Sequence, residues 1–158
     1  MQVPSTVKRF SLVLGGLVLS GALLVAQPPA PLGSYAYLDC SPSNTVTTRI
    51  VLVQGVVPAT MPATPPRPSI EIVVHAPADK LPSGQQTVSP EGVKSGPNVA
   101  MVSCPIVGDC AAARSGTLSV QRAADGRITG DYNGQWSQGQ PRVGKFSAVW
   151  RDSQKKCG

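Results

Sequence analysis

The stretch GTLSVQRAADGRITGDYNGQW at residues 116–136, with GKFSAVW at 144–150, decides the fold. Here the apolar residues fall on even positions: Leu118, Val120, Ile128, Tyr132, Trp136, Phe146, Ala148 and Trp150. The odd positions Thr117, Ser119, Gln121, Thr129, Asp131, Asn133, Gln135, Lys145, Ser147 and Arg151 are polar, with Val143 and Val149 as exceptions. Side chains alternate between faces along a strand, so a period of two marks strands with one buried face. Parity also selects the turn. A two-residue loop at Asp125-Gly126 would set Val120 against Asp131 and Leu118 against Asn133. A three-residue loop, Ala124-Asp125-Gly126, sets Leu118 opposite Tyr132 and Val120 opposite Gly130, and puts Gly126 where a left-handed backbone is needed. The three-residue loop is therefore expected. The following hairpin turns at about 137–142, and one in-phase register sets Gly134 opposite Phe146 and Gly130 opposite Trp150. Each glycine would then lie under an aromatic ring.

Upstream, residues 45–57 are rich in Thr, Val and Ile and read as a strand with a bend at Gly55. Residues 58–68 form a proline-rich, stiff connection, and 69–75 a second strand. Weaker strands are expected at 85–88 and 99–103. No stretch beyond the N-terminus keeps a helical period. The expectation is an all-β domain, a small antiparallel β-sandwich or barrel built from hairpins and preceded by an N-terminal signal helix.

That N-terminal segment has a secretory pattern. Lys8 and Arg9 precede an uncharged apolar run at 10–26. Cleavage is expected after Ala22, within Ser20-Gly21-Ala22, or after Ala26, within Leu24-Val25-Ala26. The alternative is an uncleaved anchor, since a run of this length just reaches the lower limit for spanning a bilayer. The expected organisation is a signal peptide at 1–26, a linker at 27–34 and one β-domain at 35–158. The protein is then periplasmic or secreted, or else anchored at its N-terminus, with membrane contact expected only if the signal segment stays.

Export changes how the four cysteines read, because an even count in an oxidising compartment favours disulfides. Cys104 and Cys110 flank a short loop, while Cys40 and Cys157 lie near the two ends of the domain, so the pairs Cys104–Cys110 and Cys40–Cys157 are expected. A metal centre is not expected: His75 is the only histidine and there is no Cys-x-x-Cys pair.

The 116–136 segment and GKFSAVW resemble the C-terminal hairpins of uncharacterised exported bacterial β-domains, with a Gly-x-hydrophobic-x-hydrophobic strand, then Gly-Arg-Ile-x-Gly-x-aromatic, then Gly-x-Phe. The resemblance covers about a third of the mature chain and implies a fold and a compartment, with no activity attached. It lacks the lipid-attachment cysteine common in such proteins. Residues 126–132 are also similar to a strand of avidin-like barrels, without the spaced tryptophans of an avidin-type pocket.

Motifs for chemistry are sparse. There is no Gly-x-Ser-x-Gly elbow, phosphate-cradling loop or dinucleotide fingerprint. No cofactor is expected. His75 is the one candidate imidazole base, and it shares strand parity with Glu71. The eight acids form no obvious catalytic pair. The formal charge of +6 becomes +4 once Lys8 and Arg9 are removed, with 12 basic residues against 8 acidic ones, dispersed along the chain. That balance gives no reason to expect nucleic acid as a partner.

The best surface candidate is the polar face of the last strands, where Arg127, Asn133, Gln135, Lys145 and Arg151 would gather and meet a glycan or an anionic envelope component. Trp136 and Trp150 read as core. The expected function is thus a non-catalytic exported domain that binds or supports something in the envelope. A small-molecule carrier or protease-inhibitor-type barrel is the first alternative, and a hydrolase built on His75 the second.

Overall fold

The computed structural model describes residues 32–41, 45–90, 99–137, 139–153 and 157. The signal segment at 1–26 and its cleavage points lie outside them. Among the described residues there are nine strands: β1 Leu32–Cys40, β2 Val46–Gln54, β3 Ser69–Val74, β4 Gln85–Val88, β5 Val99–Cys104, β6 Ala111–Ala112, β7 Ser115–Arg122, β8 Ile128–Gln135 and β9 Arg142–Trp150. The order β3-β2-β1-β9-β8-β7-β4-β5 is closed by pairing of β5 with β3, giving an eight-stranded barrel. The short β6 pairs with the end of β5 as an extra strand.

Two seams depart from the antiparallel expectation. β1 runs parallel to β9, and β4 parallel to β5. β1 also begins at Leu32, inside the stretch 27–34 read above as linker.

The hairpin of β7 and β8 follows the parity argument. Leu118 faces Tyr132 and Val120 faces Gly130. Ala123 N donates to Arg127 O at 2.8 Å, which leaves the three residues 124–126 as the loop, and Gly126 sits at a φ of 81°. The next hairpin differs. Phe146 lies opposite Gly130, and Gly134 lies opposite Arg142. Even-numbered shifts all keep the same face inward, so parity alone cannot choose among them, and the connecting loop sets the register. The ring-over-glycine device survives with new partners. A Cβ at Gly130 would lie 2.8 Å from Phe146 Cζ, and one at Gly144 would lie 2.8 Å from Tyr132 Cε1.

The barrel is filled. Ile50, Ile72, Leu118, Ile128 and Ala148 are fully buried in one cluster that includes Tyr132, Trp136 and Phe146. Each large aliphatic side chain buried there contributes about 1.5–3 kcal/mol. The two mouths end in matching pairs. At the mouth where β9 begins, the Arg142 guanidinium lies 5.5 Å from the Trp136 ring centre and donates to Ser103 Oγ across the opening at 2.8 Å. At the mouth where β9 ends, Arg122 lies 5.7 Å from the Trp150 ring centre. Both distances suit cation–π attraction.

A second cluster lies outside the barrel. Tyr35, Tyr37, Val51 and Val53 point outward from β1 and β2 and are covered by Val57 and Met61. The proline-rich connection is thus folded back as a cover. These two strands are buried on both faces and lack a clean alternation for that reason. Beside this cluster Arg49 bridges two carboxylates, Asp39 at 3.1 Å and Glu71 at 2.7 Å. Both expected disulfides are formed, Cys40–Cys157 and Cys104–Cys110.

Candidate binding groove on the barrel wall

The parallel seam between β1 and β9 is a short join in the barrel wall. Its ladder holds only Tyr35 against Val149 and Ala36 against Trp150. Leu32, Gly33 and Ser34 have no ladder partner on β9, and the surface opens there. The resulting groove has a volume of about 480 Å³ and is lined by Leu32–Ser34, Val57, Arg127 and, on β9, Lys145, Phe146, Ser147 and Val149. Gly33 permits its shape: a Cβ there would fall 2.7 Å from Val57 Cγ2 and 2.8 Å from Gly55 O. A second groove of about 440 Å³ continues from Arg127 and Val149 to Arg122, Asp125, Gly126 and Trp150. Because Arg127 and Val149 border both, the two form one track along β9.

The cations on this track are held to different degrees. Arg127 is fixed: its Nε donates to Ser147 Oγ at 2.7 Å and its Nη2 donates to Ser147 O. Its backbone N donates to Asp125 Oδ1 at 3.0 Å, so the tight hairpin also positions this side chain. Lys145 is exposed and pairs with Asp131 at 3.3 Å across the strand. An exposed pair of this kind is worth little and leaves the ammonium free to exchange partners. Arg122 lies over the half-buried Trp150, which presents an apolar face beside the charge. The track therefore combines three cations, the acids Asp125 and Asp131, and an aromatic edge, a combination suited to a flat anionic or hydroxyl-rich ligand.

Of the residues expected on the polar face, Arg127 and Lys145 come together here. The other three do not line the grooves. Asn133 sits on the outer face opposite Val143, and Gln135 pairs with Ser115 at the end of β8. Arg151 turns toward the outer cover and donates to Pro58 O at 3.2 Å. Arg122 and Trp150 are the additions that the sequence reading missed. Both have inward parity, but each sits at a strand end where the mouth opens, so inward no longer means enclosed.

The other sequence candidates are dispersed. His75 follows β3, and Glu71 on its side of the strand is engaged by Arg49. Among the described residues no side-chain hydrogen bond joins His75 to a serine or a carboxylate. A carrier pocket would be lined by Tyr132, Trp136, Phe146 and Trp150. Here Tyr132, Trp136 and Phe146 belong to the packed core with Trp150 against it. Phe146 borders the first groove and Trp150 the second, and neither groove is lined by all four. Burial raises the Tyr132 pKa, with the charge of Arg142 opposing it. No group of three potential metal ligands occurs among the described residues. Compared with known proteins, the chain matches no family model, no curated protein and no solved structure.

Proposed function

We propose that this protein is an exported, non-catalytic β-barrel module that binds an anionic component of the cell envelope, such as an acidic glycan, along the β9 track. The observation that carries this reading is the pair of adjoining grooves along which Lys145, a fixed Arg127 and Arg122 follow one another beside Trp150. Spaced cations select an anionic polymer, and the tryptophan edge offers a stacking surface for a sugar ring. The two disulfides are compatible with an oxidising compartment outside the cytoplasm.

Titration with a polyuronate oligosaccharide, with a neutral glucan oligosaccharide as control, tests the site. The acidic oligosaccharide is expected to bind with an affinity that falls as salt rises and to change tryptophan fluorescence. The double variant R127Q/K145Q is expected to lose that binding while keeping the wild-type circular dichroism spectrum. Equal binding by this variant would remove the track from consideration. Cell fractionation with N-terminal sequencing tests export, with Leu23 or Gln27 expected as the new first residue.

A further inference from the structure

The outer surface carries four exposed large aliphatic residues among those described: Val56 at 94%, Val107 at 85%, and Ile106 and Val143 each at 71%. They come from three separate parts of the chain, yet all four belong to the mouth where β9 begins. Val56 follows the end of β2, Ile106 and Val107 follow the end of β5, and Val143 is the second residue of β9. The registers Val53↔Ser69 and Ser69↔Cys104 bring the first two of these strand ends side by side. Across the opening, the hydrogen bond from Arg142 to Ser103 ties the start of β9 to β5. Scattered single apolar residues need no explanation, but their concentration at one end does.

The loop that carries Ile106 and Val107 is held out firmly. The Cys104–Cys110 disulfide closes it, and Arg67 braces it, donating to Gly108 O at 2.9 Å and to Cys110 Sγ at 3.3 Å. Presenting these side chains to water is therefore built into the fold. Around them stand the exposed cations Arg67, Arg114 and Arg142, with Asp109 as the only acid among the described residues of the same loops. At the opposite mouth the exposed acids Asp79, Asp125 and Asp152 offset Lys80, Arg122 and Arg127. The chain also enters the barrel at this apolar, cationic end, at Leu32. Five residues separate Leu32 from the apolar segment ending at Ala26, a span of at most about 22 Å.

We propose that this mouth is a docking face for an anionic lipid bilayer, with Val56, Ile106, Val107 and Val143 entering the headgroup boundary and the three arginines meeting lipid phosphates. Apolar contact and attraction to anionic headgroups act together in such interfacial binding. The seven side chains of this face line neither groove, although the face adjoins the track at Leu32 and Val57, and it serves the domain whether or not the N-terminal segment is removed.

The barrel closes on itself and contains both disulfides, so the test uses the chain without residues 1–26. Flotation is measured with phosphatidylcholine vesicles, with and without phosphatidylglycerol. The protein is expected to float with the phosphatidylglycerol vesicles and much less with phosphatidylcholine alone. I106S/V107S is expected to bind about tenfold more weakly with an unchanged near-ultraviolet spectrum. R127Q/K145Q is expected to float like the wild type. Flotation that survives in I106S/V107S overturns the proposal. Loss of flotation in R127Q/K145Q also overturns it, moving the lipid contact to the wall groove. A wild-type dimer that dissociates in I106S/V107S, without flotation, overturns it in favour of a second copy of the chain.

Discussion

Phe146 lies directly across the strand pair from Gly130, and its ring occupies the space that a side chain at 130 would need. The glycine is pressed from the other side as well, since a Cβ there would fall 2.1 Å from Ser119 O. Gly130→Ala is therefore expected to destabilise the barrel by about 3 kcal/mol, because neither a backbone carbonyl nor a packed ring can give way easily. Urea unfolding of the oxidised protein measures this. Wild-type stability in the variant would mean that β8 and β9 pair in another register.

The two disulfides should contribute unequally. Cys40–Cys157 joins residues 117 apart, and Cys104–Cys110 joins residues six apart. In the chain-entropy account, losing the first costs about 5 kcal/mol and losing the second about 2 kcal/mol. Unfolding of C40S/C157S and C104S/C110S, each against wild type, gives the comparison. A larger loss from the short loop would show that its brace at Arg67 matters more than chain entropy.

Alkali should unfold this protein by way of its outer cover. Burial, reinforced by the charge of Glu71, pushes the Tyr35 hydroxyl up to about 12. Burial also pushes Tyr37 up to about 12, with Arg49 opposing and Asp39 and Glu71 adding. In the unfolded chain both ionise near 10, so the unfolded state releases protons first as pH rises. The stabilising contribution is complete below pH 10 and is lost as pH climbs toward 12. Denaturant unfolding across this window is expected to show stability falling with pH, and Y35F/Y37F should flatten that fall. Because the Tyr35 hydroxyl is buried without a hydrogen-bond partner, Y35F alone should not destabilise the protein at neutral pH.

Arg49 holds two nearly enclosed carboxylates, and R49M would leave both without their shared cation. Breaking such a group from one side is expected to cost about 3 kcal/mol. Adding E71Q to R49M should restore part of the loss, since the Glu71 charge that Arg49 balanced is then gone. Equal stability of R49M and R49M/E71Q in thermal unfolding would contradict this account.

How far the sequence could be read depended on burial. β7, β8 and β9 each have one covered face, so their period of two was plain, and the Ala124-Asp125-Gly126 turn set the register of the first pair. β1 gave no such signal. Tyr35 and Tyr37 are covered on the outside while Ala36 is covered on the inside, so its apolar residues form a run without alternation. The parallel seam with β9 was not legible either, because no hairpin joins the two strands. In the candidate site, Arg127 and Lys145 were visible from outward parity. Arg122 and Trp150 were not, because parity tells direction relative to the barrel wall but not distance from its mouth.

The Cys40–Cys157 bond fastens the strand that opens the barrel to the segment that leaves it, across the same seam whose ladder holds only two residue pairs. Everything between those cysteines is thereby a covalent ring. A protease that nicks one surface loop of this ring leaves a single connected molecule whose strands can remain in place. In surroundings populated by degradative enzymes, such a barrel would persist through a cut that would release half of an open chain.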